Sequence, residues 1–136
     1  MVENYLAVDY GTKRIGLAAS NQLGVITPLD FLENNSAKIK KLKQIVQERN
    51  IRKVILGLPV ALSGKEEIAA QKVRVFAAEL SALDLPIEFH DERLSTARAH
   101  KVMLQYGMSE KERRTKIDSL AACILLEDYL REKSAR

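Results

Sequence analysis

Apolar positions in this chain fall into short runs and three-to-four-residue rhythms, and the two alternate. Leu6-Ala7-Val8 is a brief apolar run that predicts a buried strand ending at Asp9. Gly11 and Gly16 punctuate the next stretch, so a tight turn and a second strand make a hairpin of the opening segment. Gly24 to Leu32 reads as a third strand, and Pro28 inside it predicts a sheet edge, because proline cannot donate to ladders on both sides. Ser36 is positioned to cap a helix running to about Arg49, with Ile39, Leu42, Ile45 and Val46 on one face. Lys53 to Pro59 is continuously apolar after its lysine, the mark of a strand covered on both faces.

A second helix is predicted from about Lys65 to Leu83 on Ala69, Val73, Phe76, Leu80 and Leu83. Pro86 to His90 is the fifth strand and runs directly into Asp91-Glu92-Arg93. Ser95 or Thr96 caps a further helix to about Tyr106, which Gly107 stops. Met108 to Lys116 is polar and charged and reads as a mobile surface loop, with room for one helical turn. The last helix, about Ile117 to Lys133, carries Ile117, Leu120, Ala121, Ile124 and Leu125 on its buried stripe, with Asp118 in its first turn, where the helix dipole favours a carboxylate. The predicted architecture is α/β: an antiparallel meander of three strands, then parallel strands joined by right-handed helical crossovers. Ligands of such sheets bind beyond the carboxyl ends of the strands. Asp9 and the Asp91/Glu92 pair both fall at such ends.

Composition narrows the class. At 136 residues the chain reads as one domain over residues 1–136, able to bury roughly two-thirds of its unfolded surface. No apolar run approaches a membrane span and the N-terminus lacks a signal-peptide pattern, so no membrane partner is expected. Cys123 is the single cysteine, which excludes an internal disulfide and a cysteine zinc site and fits a reducing cytoplasm. Lys and Arg number 22 against 18 Asp and Glu, a net charge of +4 that permits polyanion binding. The basic residues gather at Lys13-Arg14, at Lys38 to Lys43, and at Lys111 to Lys116. On the predicted helix the second group reads most simply as a solvated face.

An acid at the end of a core strand is costly unless something positive satisfies it, or unless turn amides hydrogen-bond it. Gly11-x-x-x-x-Gly16 has the glycine spacing of a phosphate-binding P-loop, but Leu17 and Ala18 stand where Lys and Ser or Thr are required. An Asp-x-Gly-Thr turn also occurs in the actin and sugar-kinase ATPases, whose second lobe this chain has no room for. Three acids from distant segments converge in the predicted fold: Asp9, Asp91 or Glu92, and Asp118. Clustered carboxylates repel, and several stay ionised together only around a cation. Oxygen-only ligation selects a hard ion, Mg²⁺ or Mn²⁺. Two such ions about 4 Å apart can activate a water and stabilise the leaving oxygen of a phosphodiester.

Four blocks carry a family resemblance: Val8-Asp-Tyr-Gly-Thr-Lys-Arg-Ile-Gly-Leu-Ala18, Ile55-Leu-Gly-Leu-Pro59, Asp91-Glu-Arg-Leu-Ser-Thr96 and Asp118-Ser-Leu-Ala-Ala-Cys-Ile-Leu-Leu126. In order and separation they resemble the YqgF (RuvX) family across nearly the whole chain. The resemblance implies a ribonuclease H-like fold close to the junction resolvase RuvC. It implies a nuclease for the 5′ end of precursor 16S ribosomal RNA, or a resolvase of branched DNA. By position, Asp9, Glu92 (with Asp91 beside it) and Asp118 match the family's acids and would hold the metal. Arg93 would orient the carboxylates or touch phosphate, and Lys13 and Arg14 match the basic hairpin tip. Val60-Ala61-Leu62-Ser63-Gly64 departs from the family, lacking the asparagine and the acid usual there, and Gly57-Leu58 stands where RuvC-like enzymes place an acid.

The expectation is therefore a Mg²⁺-dependent hydrolase acting on structured RNA or branched DNA, as a monomer or homodimer. Arg113, Arg114 and Lys116 join Lys13, Arg14 and Arg93 as phosphate contacts. A non-catalytic RNA-binding module and a small phosphotransferase are the rivals from other classes. His90 reads as a hydrogen-bonded strand-end residue, His100 as a surface residue, Tyr10 as a packed turn tyrosine, and Cys123 as unreactive for want of a basic neighbour.

Overall fold

The computed structural model describes residues 3–59, 64–92, 107 and 109–134; for residues 64–66, 92 and 112–118 it describes the backbone alone. The predicted helix between Ser95 and Tyr106, the loop at 60–63 and Arg93 lie outside the described residues.

The opening segment folds as the apolar runs require. Strand β1 (Tyr5–Tyr10) turns into β2 (Arg14–Ser20), and β3 (Ile26–Glu33) completes an antiparallel meander. Gly11 makes the first turn possible: a Cβ there would stand 2.3 Å from the Arg14 carbonyl oxygen. Helix α1 (Lys38–Glu48) leads to β4 (Lys53–Pro59), which pairs parallel with β1. Helix α2 (Gly64–Glu79) tightens into a 3₁₀ turn (Leu80–Leu83) and leads to β5 (Ile87–Glu92), parallel to β4. Helix α3 (Glu110–Ser134) closes the described chain. The sheet order is β3-β2-β1-β4-β5, so Pro28 does lie on an edge strand.

Alternation along β1 divides the core. Leu6 and Val8 pack with Leu42, Val54, Leu56, Val73, Phe76 and Leu80 on the face covered by α1 and α2. Tyr5 and Ala7 pack with Ala18, Ile55, Ala122, Leu125, Leu126 and Tyr129 on the face covered by α3. Period-two alternation assigns each strand position to one of these faces.

Three boundaries differ from the sequence reading. Segment Met108 to Lys116 is not a loop from Glu110 onward, because α3 begins there, seven residues before Ile117. Lysines, glutamates and arginines are good helix formers, so a charged stretch without an apolar stripe still propagates a helix that is anchored further along. Asp118 consequently lies two turns inside α3, beyond the reach of the terminal dipole. At α1, Ala37 occupies the N-cap position and makes no side-chain cap bond, so Ser36 is not the cap. Instead Asn35 Oδ1 accepts from Ala37 N at 2.9 Å and the Asn35 carbonyl accepts from Lys38 N at 3.2 Å. Strand β5 also extends two residues further than expected, taking Asp91 and Glu92 into the ladder opposite Leu58 and Pro59.

Candidate active site

Strands β1, β4 and β5 are mutually parallel, so their carboxyl ends share one edge of the sheet. Asp9 stands at that edge, half-buried, paired across the hairpin with Gly16. Following Tyr5 and Ala7 in phase, it belongs to the face that α3 covers. Beside it the sheet is irregular. Ile15 pairs with Leu32 and Leu17 with Leu29, so Asp30 and Phe31 together oppose Gly16 alone. A bulge of this kind bends the edge strand, here next to the residue that pairs with Asp9.

The same counting separates the two acids of β5. Glu88 pairs with Ile55 and ion-pairs with Lys53 beneath α3, and His90, opposite Gly57, lies against Tyr129 of α3. Position 92 is in phase with 88 and 90, hence on the face of Asp9. Position 91 is in phase with Phe89 and falls on the other face, with its side chain exposed. Asp118 belongs to α3, and the next residue, Ser119, is buried and donates Oγ to the Leu29 carbonyl at 2.5 Å. Leu29 pairs with Leu17, which pairs with Val8. The helix is thus anchored one residue short of the level of Asp9. The side chains of Glu92, Asp118, Arg113, Arg114 and Lys116 lie outside the described residues. Among those described, no three His, Cys, Asp or Glu residues gather as a metal site.

The hairpin tip is tied down. Asn34 N donates to the Lys13 carbonyl at 2.9 Å, while Asn34 Nδ2 reaches the Tyr10 hydroxyl at 2.9 Å and the Gly11 carbonyl at 3.0 Å. Tyr10 packs on Phe76, ring centroids 4.5 Å apart, and is the packed turn tyrosine expected. Lys13 and Arg14 are exposed, with the Arg14 guanidinium 5.3 Å over the Phe31 ring. The sequence offers no signal for Asn34, whose partners are more than twenty residues away.

Other candidates settle into structural roles. His90 Nδ1 lies 3.7 Å from Glu132, and its ring meets Tyr129 edge-on. Burial pushes the Cys123 thiol up to about 12, so it stays protonated and inert. Asp128 lies 3.8 Å from Arg131. A cleft of about 470 Å³ lined by Phe89, His90, Asp91, Asp128, Arg131 and Glu132 flanks β5 and the end of α3, and it does not include Asp9. A second polar cluster has no signature in the sequence. Lys53 Nζ donates to the Tyr129 hydroxyl at 3.1 Å and lies at ion-pair distance, 3.3 Å, from Glu88. Lys133 Nζ donates to the Tyr5 hydroxyl at 2.5 Å. This cluster sits at the amino end of the strands and fastens α3 there.

With acidic positions at one sheet edge and the ordering helix on their face, the comparison with known proteins is direct. A family model described as "RuvX: Holliday junction resolvase" matches residues 3–132. The chain belongs to the RuvX family. A relative from Koribacter versatilis, named "Putative pre-16S rRNA nuclease", is 36% identical over 132 residues, covering 94% of this chain and 86% of its own. One of the same name from Rhodobacter capsulatus is 43% identical over 127 residues, covering 90% and 80%. Among solved structures, T. thermophilus RuvC in complex with a Holliday junction substrate superposes with a TM-score of 0.54 at 14% identity, covering 96% of each chain. That likeness establishes the ribonuclease H-like fold of this RuvX chain. Membership of a nuclease family makes a hydrolase of phosphodiester bonds the activity class. Among the described residues no helix is long and apolar enough to cross a membrane.

Proposed function

We propose that this RuvX protein is a divalent-metal-dependent endonuclease that processes the 5′ end of precursor 16S ribosomal RNA. The observation that carries the reading is the shared face of positions 9 and 92 at one sheet edge, under the helix that contains Asp118. The relatives' names supply the substrate class. A cytoplasmic setting accords with that substrate.

The donor chemistry fits Mg²⁺ or Mn²⁺. Asp9, Glu92 and Asp118 offer only oxygen, Cys123 stays protonated, and His90 is engaged with Glu132 and Tyr129. When bound, such ions supply a lowered pKa for the attacking water and positive charge at the leaving oxygen. The chain's own groups do the rest. Half-buried Asp9 is held in register by the Gly16 pairing, which fixes its backbone at the sheet edge. Lys13 and Arg14, on a tip fixed by Asn34, hold flanking phosphates, and Arg93 with Arg113, Arg114 and Lys116 extends that contact.

The decisive experiment incubates precursor rRNA and a four-way DNA junction side by side with Mg²⁺ or Mn²⁺, using Asp9→Asn as control. The expected result is cleavage of the RNA at its 5′ end, lowered by orders of magnitude in Asp9→Asn, with affinity in Ca²⁺ kept within a few-fold. An unchanged rate in the variant would overturn the active site. The family description favours one second reading, a junction resolvase. Junction cleavage by a homodimer would establish it, whereas a strict monomer favours RNA. Binding without metal-dependent cleavage of either would leave a non-catalytic binding module.

A further inference from the structure

We propose that the exposed side of α1 is a second phosphate-contacting surface, taking the sugar–phosphate backbone of the substrate where it leaves the active-site edge. The proposal rests on the nuclease reading above and deepens it. Strand β3 is antiparallel to β2, as β1 is, so β3 ends at the edge where Asp9 stands. Glu33, its last residue, pairs with Arg14 at the hairpin tip. Helix α1 begins five residues later, and Asn34 binds its leading segment to Lys13, Gly11 and Tyr10. Hairpin tip and the start of α1 therefore meet at that edge, with α1 on the sheet face opposite Asp9, so a strand leaving the site reaches α1 by crossing the tip.

The α1 part of that edge is basic. Leu42 is buried, with Ile39, Ile45 and Val46 packed beside it, which leaves Lys40, Lys41 and Lys43 on the solvent side, all exposed. None of the three has an ion-pair partner among the described residues. Lys38 is different, paired at 3.3 Å with Glu79 and only 15% exposed in its side chain. The sole acid of α1 is Glu48 at its far end, where it accepts from Gln44. Lysines in a first turn are opposed by the helix dipole, and α1 has no acid there to offset them. A nearby anion relieves that mismatch. A polyanion crossing the tip supplies one, and each neutralised phosphate releases counterions.

The test compares wild type, K40A/K41A/K43A and K40R/K41R/K43R on a precursor rRNA fragment and a four-way DNA junction. Binding is measured in Ca²⁺ between about 50 and 200 mM salt, and cleavage in Mg²⁺ at saturating substrate. The expected result is a triple alanine variant with about tenfold weaker binding or more and a salt slope shallower by roughly two to three. Its saturated cleavage rate is unchanged, and the arginine variant restores both affinity and slope. The loss is expected on the precursor rRNA, and a loss confined to the DNA junction would overturn the assignment of this surface to the RNA. Wild-type affinity and slope in the alanine variant would overturn the α1 surface alone, provided Asp9→Asn still abolishes cleavage. A wild-type protein that binds neither nucleic acid would overturn both readings.

Discussion

Ser119 Oγ donates a 2.5 Å hydrogen bond to the backbone carbonyl of Leu29, fixing α3 to the edge strand immediately after Asp118. Leu29 borders the bulge opposite Gly16, so this one bond ties together the helix, the irregular edge and the strand partner of Asp9. Ser119 is buried, and its removal leaves a carbonyl without its donor, which costs about 1–3 kcal/mol. Ser119→Ala is expected to lower stability by that amount in urea titration. If α3 positions an active-site acid, the saturated cleavage rate falls as well, while the binding constant for nucleic acid in Ca²⁺ stays put. Loss of binding with an unchanged rate would place the bond's importance elsewhere.

Gly11 is required by distance. A Cβ at that position meets the Arg14 carbonyl oxygen at 2.3 Å, and backbone cannot swing aside as a side chain would. Gly11→Ala should destabilise the fold by about 1–3 kcal/mol through forced backbone displacement. The displaced turn also breaks the Asn34 bonds to Gly11 and Tyr10, so phosphate affinity should fall with stability. Gly107 makes a useful contrast: its φ is +68° but nothing lies within 4 Å of a Cβ, so Gly107→Ala is strained without any clash. Thermal melts of the two variants separate steric from conformational cost, and a Gly11→Ala protein as stable as wild type would refute the tight-turn account.

Most of the sheet was legible because its signals are local. Lys53 to Pro59 and the Leu6-Ala7-Val8 run are short apolar stretches bounded by turns, and Pro28 disclosed the edge. Asp9 and the Asp91/Glu92 pair were legible as acids at strand ends. What was not legible depends on distant partners. Helix α3 starts at Glu110 although nothing apolar marks its first turns, because Ser119 and the stripe beyond it hold the whole helix on the sheet. Asn34 carries no local signal, yet it fastens the hairpin tip. Lys53, Glu88 and the helical pair Tyr129/Lys133 come from three distant segments, and no spacing rule unites them.

That last group predicts how stability changes with pH. The Tyr129 hydroxyl, with Lys53 second, holds the Glu88 carboxyl below its usual 4.5 against the opposing effect of burial. A depressed folded pKa means stability that is present above 4.5 and lost as pH falls through the folded value. Lys53 is raised above its usual 10.5, chiefly by its bond to Tyr129, so its contribution is whole below 10.5 and lost as pH rises through the folded value. Glu88→Gln should therefore flatten the acid limb of the stability profile, and Lys53→Met the alkaline limb. Urea midpoints between pH 3 and 11, roughly, measure both. Identical acid limbs for wild type and Glu88→Gln would rule the pair out as the cause. The two side chains are partly exposed, so the effects are small and diminish with salt.

The pairing of β5 makes the sharpest demand on chemistry. Asp91 and Glu92 are adjacent, so the sequence could not choose between them. The ladder separates their positions: Leu58 pairs with Asp91 and Pro59 with Glu92, and the pleat puts 92 in phase with His90, Glu88 and the face of Asp9. Asp91 is exposed and lines the cleft beside the edge strand β5 with Asp128 and Arg131, a cleft that does not include Asp9. Glu92→Gln should accordingly reduce metal-dependent cleavage by orders of magnitude and weaken Mn²⁺ binding in calorimetry. Asp91→Asn should change the rate by only a few-fold and leave Mn²⁺ binding intact. A one-residue slip of β5 would exchange the two outcomes, since every side chain would move to the opposite face. The reverse result, Asp91→Asn inactive and Glu92→Gln active, would mean that the working enzyme uses that slipped register once nucleic acid is bound.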